Sequence, residues 1–150
     1  MSWAERMGVG RKPSDTDTGW AGELAVRALL VERGFGPVDR PAAVKWPFDL
    51  LVSGLVRVDV KAAAFKSYGP CSGWFYRIGK VPQADIVALY RSDRNDCLII
   101  PWALCPTSNI TISEGGGKYA AFLNNYSLLQ DMISVRGDEL QLHRKLITCN

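Results

Sequence analysis

At 150 residues, 47% hydrophobic and 22% charged, the chain has the size and make-up of one folded unit with its own core, which sets aside disordered, fibrous and disulfide-stapled miniature classes. A net charge of +3 permits a polyanionic partner without demanding one, and no apolar run is long enough to span a bilayer. Cys71, Cys97, Cys105 and Cys149 lie far apart with no C-x-x-C pair, and His143 is the only histidine, so neither a zinc knot nor histidine catalysis is expected. With no apolar signal core in residues 1–19, a reduced, cytoplasmic setting is the expectation.

Residues 1–17 are polar, carry Arg6, Arg11 and Lys12, and read as a flexible arm ahead of a single domain over 18–150. Asp15, Asp17 and Thr18 offer N-caps to a helix over 20–33 that Gly34 ends. Trp20, Leu24, Ala28 and Val31, joined by Val26, Leu29 and Leu30, predict a wide buried stripe. Glu23 sits one turn before Arg27, the spacing of an i,i+4 pair, and Gly22 beside it allows close backbone approach. Residues 38–44, broken by Pro41, suit an edge strand, and Lys45, Trp46 and Pro47 form the approach to Asp49.

Residues 48–61 hold chemistry that folding alone does not require. Asp49 opens an apolar run, Ser53 and Gly54 signal a turn, and residues 55–61 alternate strictly, which predicts a β-hairpin. Val56, Val58 and Val60 then share a core face while Arg57, Asp59 and Lys61 share the other, with Asp59 and Lys61 about 6–7 Å apart. Pairing would bring the acid that opens the first strand near Asp59 on the second. Two such carboxylates repel unless one takes a proton or a hard cation joins them, and a lysine alongside can hold water or phosphate as a point charge. An ordinary amphipathic hairpin with a solvated polar face, on a protein with no site, is the plain alternative.

Residues 62–70 read as a loop, 74–78 as an aromatic strand, and 84–90 and 97–100 as buried apolar strands joined by a turn at 93–96. Lys66, Tyr68, Arg77 and Lys80, interleaved with aromatics, are candidate phosphate contacts. Asp85 also heads an apolar strand, but the strand after it has neither acid nor lysine, so it reads as a structural acceptor. A strand over 110–113, a break at 115–117, a helix over 119–129 and a short helix over 138–145 complete an α/β fold with a mixed, mostly antiparallel sheet.

Asp49, nine intervening residues, then Asp59, Val60 and Lys61, with Glu23 on a helix upstream, resembles the core of the PD-(D/E)XK nuclease superfamily, over roughly residues 20–102. Pro47 stands one residue further from Asp49 than the motif's own proline, with Phe48 between. The likeness is to small single-domain members: homing endonucleases of group I introns and Holliday-junction resolvases. It implies a restriction-endonuclease-like mixed sheet flanked by helices, and a Mg²⁺-dependent endonuclease, with Mn²⁺ able to substitute, acting on double-stranded or branched DNA. Asp49 and Asp59 would bind the metal, Glu23 would complete its shell or hold one of its waters, and Lys61 would orient the attacking water. A prokaryotic or phage-encoded homodimer or higher homo-oligomer, remote from membranes, is implied as well. Resolution, repair, or DNA binding without cutting are the alternatives on the same fold.

Overall fold

The computed structural model describes residues 15–40, 47–79 and 84–148, with side chains from Gly19 onward. Helix α1 (Asp15–Glu32) precedes β1 (Val38–Asp39), β2 (Leu50–Val52), β3 (Val56–Ala63), β4 (Lys66–Tyr68) and β5 (Cys71–Arg77). Then come β6 (Ile86–Arg91), β7 (Asp96–Pro101), β8 (Asn109–Ile112) and the long helix α2 (Tyr126–Thr148), with short 3-10 turns at Trp102–Leu104 and Gly117–Phe122. Among these residues one sheet has the order β1-β2-β3-β6-β7 and a second the order β4-β5-β8. The β3/β6 pair is parallel; all other pairings are antiparallel.

The larger sheet is covered on both faces. Val26 and Leu30 of α1 and Tyr126 and Leu129 of α2 pack with Val56, Val58, Ile86 and Ala88 on one side. Trp74, Tyr76, Ile110 and Ile112 of the smaller sheet pack with Val87, Leu89, Leu98 and Ile100 on the other. Strand β6 is buried along its length for this reason, and a continuous apolar run rather than an alternating one is what such a strand requires. The same cover falls on the polar face of β3, so the hairpin alternates as expected but its acid faces the interior, not solvent.

Several sequence expectations change. The helix expected from residue 20 begins at Asp15, so residues 15–17 of the expected arm are helical, while residues 1–14 lie outside the described residues. The wide stripe on α1 is not all buried: Trp20, Leu24 and Val31 are exposed, because the sheet takes the neighbouring face through Gly22, Val26 and Leu30. Glu23 does not pair with Arg27, whose Nε donates to the Val38 carbonyl at 2.9 Å. Of the expected edge strand, Val38–Asp39 is a strand, and residues 41–46, Trp46 included, fall outside the described residues.

The loop expected at 62–70 is the end of β3, which follows β6 as far as Arg91, and then β4, which turns at Gly69 and Pro70 into β5. The helix expected at 119–129 is broken. Leu123 bridges to Leu98, the Asn124 amide donates to the Cys97 carbonyl at 2.8 Å, and Asn124 takes φ 52°, so the chain is pinned extended along the edge of β7 before α2 starts. The short helix expected at 138–145 is the far end of α2. Cys71, Cys97 and Cys105 are free thiols, and no described helix is long and apolar enough to cross a membrane.

Candidate active site

The hairpin register sets the site. Leu50 pairs with Val58, so Asp49 reaches the level of Asp59. Ser53 and Gly54, at φ 55° and 67°, supply the left-handed turn that this register needs. The Asp49 amide donates to the Val58 carbonyl at 3.0 Å, and the Val60 amide donates to Asp49 Oδ2 at 2.7 Å. A strand-end carboxylate is thereby clamped across the hairpin onto the backbone between Asp59 and Lys61.

Asp59 is 5% exposed. Lys61 Nζ lies 3.4 Å from its Oδ2, an ion pair without a hydrogen bond, and that oxygen is otherwise a buried acceptor with no donor. Burial pushes the Asp59 carboxyl up to about 7; Lys61 opposes the shift, and the Asp49 carboxylate within hydrogen-bonding reach adds to it. A buried oxygen left without a donor beside a second carboxylate is an arrangement that costs stability in the free protein and suits a hard cation.

Glu23 stands on the far side of Asp49. Its pKa is raised, first by burial and then by the neighbouring Asp49, against the Arg40 guanidinium that donates to Glu23 Oε2 at 3.0 Å. Arg40 itself lies 5.6 Å from the Trp20 ring, so the exposed end of α1 holds the residue that steadies Glu23. Among the described residues no set of three or more His, Cys, Asp and Glu side chains is gathered as a metal cage. Mg²⁺ does not require one, since it binds through one or two carboxylates and keeps several waters. The Asp49–Asp59 pair fits that demand.

Gly22 sets the height of α1 over the sheet. A Cβ there would sit 2.7 Å from the Ala62 Cβ, so α1 can lie this close only without a side chain at that position. Gly22→Ala is expected to cost about 1–3 kcal/mol by forcing the helix outward. Ala62→Gly in the same chain should return much of the lost melting temperature by removing the opposing atom. A double variant no more stable than the single one would show that the contact does not set the spacing.

Glu23, Asp49, Asp59 and Lys61 line one cleft of about 410 Å³, whose other wall is Phe75, Tyr76 and Arg77 of β5. Glu23 contacts Asp49, Asp49 contacts Asp59, and Asp59 pairs with Lys61, so one helix and two strands bring the four expected residues together. Of the expected phosphate contacts, Arg77 lines this cleft. Lys66 and Tyr68 lie on β4 and are exposed, and Lys80 lies outside the described residues.

The cross-strand register puts Lys66, Tyr68, Phe75, Arg77, Asn109 and Thr111 on one outer face of the smaller sheet, with Tyr68 and Phe75 rings 5.4 Å apart. That face leads from the cleft and, among the described strand residues, carries no acid. Asn109, Thr111 and Arg40 escape a reading of the sequence. Alternation marks Asn109 and Thr111 as outward, but only the β5/β8 pairing places them beside Arg77.

No protein-family model and no curated protein matches the chain. Among solved structures it resembles the bacterial homing endonuclease I-Ssp6803I over 85% of this chain and 99% of that one, at TM-score 0.70 and 15% identity, which shows a shared fold.

Proposed function

We propose that this protein is a divalent-metal-dependent endonuclease that hydrolyses DNA phosphodiester bonds, of the PD-(D/E)XK type and closest in character to homing endonucleases. The observation that carries the reading is the convergence of Asp49, Asp59 and Lys61 in one cleft, with the buried Asp59 oxygen lacking a donor. The fold likeness to a homing endonuclease supports it independently.

Asp49 and Asp59 would hold Mg²⁺, or Mn²⁺ in its place, with Glu23 completing the shell or holding one of its waters. When bound, the ion polarises the phosphoryl oxygen and offsets charge in the transition state. Lys61, kept beside Asp59, orients the attacking water and meets developing negative charge. Asp49 keeps its place through the Val60 amide, and Arg40 keeps Glu23 turned toward Asp49. The cleft admits one phosphodiester and its waters rather than a duplex, so DNA lies across its mouth along the outer face of β4, β5 and β8. There Lys66 and Arg77 meet phosphate while Tyr68 and Phe75 offer ring surface. One site cuts one strand. Cutting both strands of a duplex, or resolving a junction, calls for a two-fold homo-oligomer.

Resolution, repair and DNA binding without cutting remain the competing uses of the fold. The last is disfavoured by the buried acids, which repel a phosphate backbone unless a cation joins them. Supercoiled plasmid with Mg²⁺ or Mn²⁺ should be nicked or linearised by the wild type and spared under EDTA. Lys61→Ala should cleave roughly a hundredfold more slowly while still binding DNA, the loss expected for one positioned proton-handling group. Absence of metal-dependent cleavage on plasmid and on branched junctions alike would sink the enzyme reading.

A further inference from the structure

Helix α2 outruns the domain that anchors it. Tyr126 and Leu129 are buried, Arg136 donates to the Leu55 carbonyl and to Asp85, and Gly137 lies against Leu55. Beyond that point residues 138–148 are all exposed, about 16 Å of helix by rise per residue. A helical stretch this short is marginal in water unless something packs on it. This one leaves Leu142 60% and Leu146 62% exposed, in line with Val135 at 56% about two turns before Leu142. At 3.6 residues per turn these three fall within about 40° of one another, a single stripe. Leu140 and Ile147 follow a separate strip of the helix.

The charges around the stripe favour one occupant. Asp138 and Glu139 open the projecting segment, and Arg144 and Lys145 close it, placed symmetrically about the Gln141–Leu142 bond. Two copies of the helix laid antiparallel about that point bring Asp138 of each beside Lys145 of the other and the Val135, Leu142 and Leu146 stripes together, while Glu139 lies at the stripe's edge and Arg144 on the opposite side of the helix. Parallel pairing in register would leave both Asp138 and Lys145 without an opposite charge across the seam, and a phosphate backbone along the segment would meet Asp138 and Glu139.

We propose that residues 135–148 of α2 form an antiparallel helix pair with the same segment of a second copy of this chain. The pairing is isologous, as two-fold dimers are, and it does not depend on the nuclease reading. Asp138 and Lys145 lie seven residues apart on one flank of the stripe, where antiparallel helices exchange charge pairs.

Light scattering and sedimentation on the full chain test it. The wild type should be dimeric, and Leu142→Glu should give a monomer whose β-sheet core still melts cooperatively. Asp138→Lys alone and Lys145→Asp alone should each weaken self-association at least roughly tenfold, since each sets like charges together at both ends of that flank. A one-to-one mixture of these two variants should recover the dimer, because every lysine then faces an aspartate across the axis. A wild type that stays monomeric at high concentration overturns the proposal. So does a dimer indifferent to both charge variants, or a monomer whose projecting helix binds duplex DNA and loses it on Arg144→Ala.

Discussion

Asp59→Asn should make the metal-free protein more stable at pH 8 and at the same time abolish its cleavage activity. The Asp59 carboxyl sits at about 7 in the fold against an ordinary value of 3.8, the cause being burial first, with Asp49 adding to it and Lys61 opposing it. The folded state therefore holds this proton more tightly than the unfolded chain does. Stability is greatest below about pH 4, falls as pH rises toward 7, and is level above that, because ionising the group is harder in the fold. The neutral amide removes the penalty and can donate to the Asp49 carboxylate, while Lys61 loses its partner. A net gain of about 2 kcal/mol, near 5 °C in melting temperature for a chain this size, is expected at pH 8 and should vanish below about pH 4.

The activity loss is expected to be at least roughly a thousandfold, since the pair that would hold the ion is broken. Added Mg²⁺ should raise the melting temperature of the wild type and leave the variant unmoved. A variant less stable than the wild type at pH 8, or stabilised by Mg²⁺ to the same degree, would show that the buried Asp59 carboxylate does not carry the penalty assigned to it.

The hairpin is legible in the sequence because its signals are local. Ser53 and Gly54 fix the turn, the turn fixes the register, and the register alone brings Asp49 to Asp59. The close approach of α1 is legible for a similar reason, since Gly22 is beside Glu23 in the chain and against Ala62 in the fold. Which of two overlapping stripes on α1 meets the sheet is not legible. Trp20, Leu24 and Val31 are as apolar as Val26 and Leu30, and periodicity cannot choose between faces about a third of a turn apart. Nor can the burial of Asp59 be read from its own strand, because Phe75, Tyr76 and Arg77, which face it across the cleft, belong to a strand of the other sheet. The break before α2 depends on the Leu123–Leu98 bridge, a contact with no local signature.

Asp85 reads as structural from the sequence, and its surroundings give the contrary pH behaviour from an acid in a similar sequence setting. Burial on its own would raise its pKa, but the hydrogen bonds from Arg57 and then Arg136 outweigh it and hold the carboxyl below the usual range. Arg57 donates from its backbone amide at 2.8 Å and from its guanidinium at 3.2 and 3.0 Å, and Arg136 donates at 2.9 and 2.6 Å. One side chain thus ties the start of β3 to the start of β6 and to α2. Asp85→Ala should leave both arginines without their anion. Since Arg57 and Arg136 remain 38% and 35% exposed, water recovers part of the loss, and about 2–3 kcal/mol, or some 5–8 °C, is expected near neutral pH.

The sign is opposite to that at Asp59. A depressed folded pKa contributes stability that is complete above the unfolded value and disappears as pH falls through the folded one, so the gap between wild type and Asp85→Ala should hold above about pH 5 and close below about 4. Melting curves of both Asp variants across that range separate the two roles. One acid is stored strain that substitution relieves; the other is a tie whose removal loosens β3 beneath the site. If Asp85→Ala melts with the wild type at pH 7, the arginines find other partners, and the placement of β3 must then come from its ladders with β2 and β6 and its apolar contacts.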